Sequence, residues 1–239
     1  MKRKMLLAKM FLVLLIFAVG GTSVAFGQEL RQVHVRGQGS IKVEPDLAHV
    51  SLGVTTEHEV AEEAQGLNAL HMRNILDELE KLGIASKDIE TSYFNVFPVY
   101  KYDQEAGNQL TGYRVSNTIR VQLEDLSLVG EVIDKSIAAG ATNVNNVQFT
   151  VKDEEQWIEE ALTLAVKDAR RKAEIMAAAA DEKLGLVMVI RDPGTSFEPY
   201  LIKEQAISRM ALMDSSAPTP IQPGQLDVSA RVEIIYALE

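Results

Sequence analysis

Gly112-Tyr113-Arg114-Val115-Ser116-Asn117-Thr118-Ile119-Arg120-Val121-Gln122-Leu123-Glu124-Asp125 is the stretch whose reading decides the fold. Tyr113, Val115, Asn117, Ile119, Val121 and Leu123 share one face at period two, and Arg114, Ser116, Thr118, Arg120, Gln122 and Glu124 share the other. Such alternation marks a strand with one buried and one wet face. A wet face implies an antiparallel or mixed sheet with helices on one side, because a doubly wound parallel sheet is buried on both. Past Asp125 the period becomes helical, with Leu126, Val129, Ile133 and Ile137 in step as far as Gly140.

Upstream, Ile89, Thr91, Tyr93, Asn95 and Phe97 alternate on one face, and Pro98 marks an edge or a bulge. This segment and the 113–123 strand predict a long hairpin. Before it, Ala61, Ala64, Asn68, Met72, Ile75, Leu79 and Leu82 follow helical spacing to Gly83, a natural left-handed C′ residue. Two strands precede that helix, at about 32–43 and 48–54, joined by Glu44-Pro45-Asp46 and expected to pair as a hairpin. Gly37-Gln38-Gly39 interrupts the first and is expected to form a bulge or bend.

Downstream, Val144, Val147, Phe149 and Val151 indicate a short strand. Asp153-Glu154-Glu155 then opens the longest helix, where acids complement the N-terminal dipole. Trp157, Ala161, Ala165, Ala169, Ala173, Ala177 and Ala180 recur close to every fourth residue, so this helix is expected to lie close on the sheet. A strand at 184–190, ended by Pro193-Gly194, and a final strand at 226–238 complete an α+β order of β-β-α-β-β-α-β-α-β-β. Between these two strands, residues 193–224 hold five of the seven prolines together with Met210 and Met213. A loop of that length inside a compact domain is functional or mobile as a rule.

The first 27 residues carry Lys2, Arg3, Lys4 and Lys9, an unbroken apolar run at 10–19, and small residues up to Gly27. This is the layout of a secretory signal peptide, cut after Ala25 or Gly27. The run is about half the ~20 residues that span a bilayer, so no membrane span is expected after cleavage; an uncleaved anchor is the alternative. Residues 28–239 are read as one domain. Without the leader, 20 Lys and Arg (24 less 4) face 34 Asp and Glu, a net charge of −14. That acidity argues against nucleic acid and anionic lipid as partners. No cysteine is present, which excludes disulfides and thiol chemistry.

Val35-Arg36-Gly37-Gln38-Gly39 followed by Val43-Glu44-Pro45-Asp46 and Ala48 resembles the opening signature of the SIMPL-domain family, the YggE-like exported proteins. Gly112-Tyr113-Arg114, Asn117 and Leu123-Glu124-Asp125-Leu126 resemble its central strand. Val132-Ile133-Asp134, Ala138-Ala139-Gly140-Ala141 and Val147-Gln148-Phe149 are similar to its next segment. Ala169-Arg170, Lys172-Ala173-Glu174, Leu184-Gly185, Ile221-Gln222-Pro223-Gly224 and Val228-Ser229-Ala230 complete the set. The resemblance implies an exported protein of the bacterial periplasm or envelope with no established enzymatic activity. It also implies an association with oxidative stress tolerance and, in some members, ring-like self-assembly.

No catalytic, cofactor or metal residues are assigned. Gly37-Gln38-Gly39 lacks the third glycine, the Lys-Ser/Thr and the helix start of a phosphate loop. No Gly-x-Ser-x-Gly elbow occurs. His34 and His49 are expected on neighbouring strands, where they would meet across a hairpin, but a metal site needs three or four convergent ligands. Arg170 and Arg171 are candidates for anion contact, weighed against a solvated face paired with Glu159, Glu160, Asp168 and Glu174. Met210 and Met213 are the candidates for partner contact. The leading expectation is a non-enzymatic envelope protein that works by binding or homo-oligomeric assembly, with an envelope protein as a further partner. A metal-dependent antioxidant or other enzyme, and a chaperone-like binder using the 193–224 loop, are the alternatives.

Overall fold

The computed structural model describes residues 31–105, 107–203 and 219–239, and every structural statement below concerns those. Two antiparallel sheets share the chain. Strands β1 (Gln32–Val43), β8 (Leu226–Leu238) and β6 (Leu184–Glu198) form a three-stranded sheet in the order β1-β8-β6. Strands β3 (Ile89–Asp103), β4 (Gly107–Leu123), β2 (Leu47–His58), β5 (Asn143–Thr150) and β7 (Tyr200–Lys203) form a five-stranded sheet in the order β3-β4-β2-β5-β7. Helix α3 (Glu154–Ala179) packs on β1 and β8, while α1 (Ala61–Lys81) packs on β2 and β4 and α2 (Val129–Ala139) on α1 and β2. The fold is α+β in the expected order, with the short β7 added inside the proline-containing loop.

Each sheet closes its own core. In the five-stranded layer, Val50, Leu52, Val54, Ile119, Val121 and Phe149 meet Ile75, Leu79, Val132 and Ile133, all nearly without exposure. Asn68 is the polar member of that core: its Nδ2 donates to the carbonyls of Val54 and Val115 at 2.9 and 3.2 Å, tying α1 to two strands. In the three-stranded layer, Val33, Val35, Val228, Val232 and Ile234 meet a helix face made of Ala161, Ala165, Ala169 and Ala173. Gly83 and Gly140, at φ 83° and 115°, end α1 and α2 as their left-handed residues.

The expected β1–β2 hairpin does not form. β1 pairs with β8 along its whole length, and β2 sits between β4 and β5. Nor does Gly37-Gln38-Gly39 bulge, since the β1–β8 register runs unbroken from Gln32 to Val43. The glycines have another purpose. A Cβ on Gly37 would stand 2.0 Å from the Ala165 carbonyl oxygen, and one on Gly39 would stand 2.1 Å from that of Ala161. Two strand residues advance about 6.6 Å and four helix residues about 6.0 Å. Gly-x-Gly on β1 therefore stays in step with Ala-x-x-x-Ala on α3, and the two backbones touch.

The crossing between layers is pinned at Asp46. Its N–H donates to the Thr150 carbonyl at 3.2 Å, and its Oδ1 accepts from the Lys152 N–H at 2.8 Å. Glu44-Pro45-Asp46 is thus a bridge from one layer to the other. Pro193-Gly194 does not end β6, which continues to Glu198 after a register shift between Arg191 and Gly194. The chain then joins β5 as β7, and it reappears at Thr219 on α2. There Thr219 donates from N and Oγ1 to the two carboxylate oxygens of Asp134, at 2.9 and 2.6 Å. Gly130 admits the Thr219 carbonyl, 2.3 Å from where its Cβ would be. Among its described residues, the long segment meets the five-stranded layer at β7 and at Thr219 before it returns to β8.

Candidate binding surfaces

Arg170 and Arg171 lie on the exposed side of α3, each already paired: Arg170 Nε with Glu174 at 3.0 Å and Arg171 with Asp168 at 2.7 Å. Asp168 has a second task. Its Oδ2 accepts from the Gln38 N–H at 3.0 Å and lies 2.6 Å from Lys172 Nζ, which itself donates to the Arg36 carbonyl at 3.0 Å. Lys172, the Gln38 N–H and Arg171 together hold the Asp168 carboxyl well below the usual carboxylate range. The consequence is structural: two backbone groups on the free edge of β1 are capped by the helix. Met210 and Met213 lie outside the described residues.

His34 and His49 do not meet. His34 lies on β1 opposite Ile235, and His49 lies on β2 of the other sheet, between Gln122 and Gln148. Burial, then the Arg120 charge, lowers the His49 pKa, which keeps the ring neutral. His58 accepts the Val60 N–H at its Nδ1 (3.1 Å), and His71 packs over Gly140. Among the described residues no three His, Cys, Asp or Glu side chains gather into a metal site.

Among the described residues, the strands leave apolar side chains uncovered at two places. The first is the β6 edge of the three-stranded sheet, where Leu186 is 80% exposed and Val187, Met188 and Ile190 are also open. Register shifts on either side of Val187 break the β6–β8 ladder there.

The second is the β3–β4 hairpin, and here alternation alone misleads. A register shift between Thr91 and Tyr93 reverses the parity of β3. Ile89 and Thr91 pair with Val121 and Ile119 on the helix side, whereas Tyr93, Asn95 and Phe97 pair with Thr118, Ser116 and Arg114 on the wet side. A second shift, between Val99 and Tyr100, skips Thr111 on β4 and inverts that strand instead, so Tyr100 opposite Leu110 and Tyr102 opposite Asn108 keep the β3 parity of Phe94 and Val96. The first bulge thus turns Tyr93 and Phe97 to the face away from the helices and leaves Tyr100 and Tyr102 on the other face of β3. Tyr100 is 58% exposed and Tyr102 72%. Phe94 and Val96, on the same face as these two, are open as well. The signal available in the sequence was that apolar residues occupy both parities after Ser92, which a single unbroken strand face does not require.

The surroundings of Tyr93 and Phe97 are polar but nearly neutral. Arg114 pairs with Glu57 at 2.5 Å and Arg120 with Glu90 at 2.9 Å. Between them lie hydroxyls and amides: Thr55 and Ser116 share a 3.3 Å contact, and Asn95 donates to the Tyr93 hydroxyl at 3.3 Å.

Comparison with known proteins gives a consistent result. The family described as "SIMPL: Protein of unknown function (DUF541)" matches residues 33–236. The 26 kDa periplasmic immunogenic protein of Brucella melitensis biotype 1 is 28% identical over 235 residues, 94% of each chain. The uncharacterized protein YggE of Edwardsiella ictaluri is 24% identical over 202 residues, 84% of each. YggE of Escherichia coli K12 is 25% identical over 206 residues, covering 85% of this chain and 81% of that one.

Proposed function

The chain belongs to the SIMPL family, and on that premise we propose that it is a non-enzymatic protein of the periplasm or cell envelope that acts by binding and homo-oligomeric assembly. The leader-like first 27 residues and the word "periplasmic" in the names of the Brucella relatives support the location. No helix among the described residues is long and apolar enough to cross a membrane.

The observation that carries the assembly reading is the contrast between the two edges of the three-stranded sheet. β1 is capped by Asp168 and Lys172, while β6 presents Leu186, Val187, Met188 and Ile190 to solvent. Self-pairing of this β6 edge gives a closed pair related by a two-fold axis rather than an endless fibre. Light scattering of the leaderless protein at micromolar concentration tests this. A stable oligomer that dissociates when Met188 and Ile190 are both replaced by serine supports it; a monomeric parent protein overturns it. A role in tolerance of oxidative or envelope stress belongs to the same proposal. It is tested by asking whether the Met188→Ser/Ile190→Ser protein restores the stress survival of a deletion strain as well as the parent does.

A further inference from the structure

We propose that the three-stranded sheet, on the face turned away from α3, binds a small monocarboxylate with an apolar body. This goes beyond the assembly reading, which rests on other residues of β6. Two neighbouring rows of the sheet build the site. His34, Ile235 and Val189 stand side by side across β1, β8 and β6, and Arg36, Glu233 and Arg191 form the next row. Val35, Val232 and Ile234, the alternate residues of β1 and β8, are packed in the core against α3. The six therefore face the other way. They border a cavity of about 360 Å³, within the size range of small-molecule sites. Register shifts between Val187 and Val189 and between Arg191 and Gly194 enclose the β6 part of the lining. Such irregularities bend a strand and increase its twist, which accounts for a hollow on the face of so small a sheet.

The lining has an apolar end and a charged end. Val189 and Ile235 are half-buried, although they lie on the wet face. In the next row Arg36 Nε pairs with Glu233 at 2.7 Å. Arg191, on the other flank of Glu233, enters no ion pair among the described residues, and neither does Arg231 in the row beyond. Two guanidiniums against one carboxylate leave a single positive charge in the cavity, on a leaderless chain that carries −14. That balance selects the ligand. A monocarboxylate neutralises it and suits the planar donor fork of Arg191. A phosphate dianion would instead leave negative charge in excess beside Glu233. An exposed ion pair alone contributes little, so the ligand's apolar body, laid on Val189 and Ile235, supplies most of the affinity.

The test is a saturation-transfer NMR titration of the leaderless protein, read on the signals of hexanoate and phenylacetate. Acetate and hexanol are the controls, and inorganic phosphate is the competitor. The expected result is saturable binding of both larger carboxylates, with hexanoate held about tenfold more tightly than acetate, the gain from burying two methylenes. Arg191→Gln should weaken hexanoate about tenfold, the range of one charged hydrogen bond. Val189→Thr should narrow the margin between hexanoate and acetate. Neither residue belongs to the buried core, so both variants keep the parent's melting temperature, which is measured alongside. The Met188→Ser/Ile190→Ser protein should bind hexanoate as the parent does. Absence of saturable binding, binding indifferent to Arg191→Gln, hexanol bound as tightly as hexanoate, or displacement of hexanoate by an equal concentration of phosphate overturns the proposal. A monomeric protein that binds hexanoate would sink the assembly reading and leave this one standing, and an oligomer that binds none would do the reverse.

Discussion

The two layers bring helix to sheet by opposite means. In the three-stranded layer the interface is emptied: Gly37 and Gly39 on the strand and alanines on the helix let main chain meet main chain. In the five-stranded layer it is filled: Leu52, Ile75, Leu79, Ile119, Ile133 and Phe149 interdigitate, and Asn68 adds hydrogen bonds. An emptied interface tolerates loss and rejects addition. A filled one does the reverse, because a vacated core site keeps part of its cavity.

Substitutions can break that contrast. The largest effect is expected from Gly39→Val, which drives carbons into the Ala161 carbonyl and should destabilise by about 4 kcal/mol or more, at the top of the single-mutant range. Phe149→Ala in the filled layer should cost about 3–5 kcal/mol. Chemical denaturation of both, set against Ala165→Gly at about 1 kcal/mol, measures the asymmetry. Equal costs for Ala165→Gly and Phe149→Ala would show that the two interfaces do not differ in kind.

Smaller effects sharpen it. Asp134→Ala removes both acceptors of Thr219 and should cost about 1–3 kcal/mol, with faster amide exchange at 219–225 as the local readout. Unchanged exchange would mean that segment is held elsewhere. Asp168 contributes through pH. Its folded carboxyl is depressed by Lys172, the Gln38 N–H and Arg171, so its contribution is complete above the unfolded value, about 4, and fades as pH falls below it toward the lower folded value. Asp168→Asn should therefore flatten part of the acid limb of stability, seen as a smaller difference between urea melts at about pH 5 and about pH 3. A parallel pH dependence in the variant would remove the edge cap as a contributor.

How far local pattern reaches is clear from particular elements. The β4 alternation is legible because one side of it faces a core and the other water. The ends of α1 and α2 are legible because Gly83 and Gly140 supply the left-handed residue each helix needs. The partner of β1 is not, since Arg36 meets Glu233 across 197 residues and no local period encodes a distant edge. The sequence contains the Gly-x-Gly and Ala-x-x-x-Ala matching, but its meaning appears only once the two are known to touch. The outward placement of Tyr93 and Phe97 escaped for a different reason: one extra residue at Ser92 inverts every β3 face assignment after it. Of the candidate site residues, Arg170 and Arg171 are found in their intrahelical pairs.

The β1–β8 pairing also dictates when this molecule can finish. Strand β1 finds its helix more than 110 positions later and its strand partner only at Leu226–Leu238. Until β8 is made, β1 has α3 to lie on but no strand partner, while β2 to β5 with their helices already have each other. Completion of the three-stranded layer is thus a late event of high contact order, and a chain truncated before Leu226 should lose that half of its architecture while keeping the other.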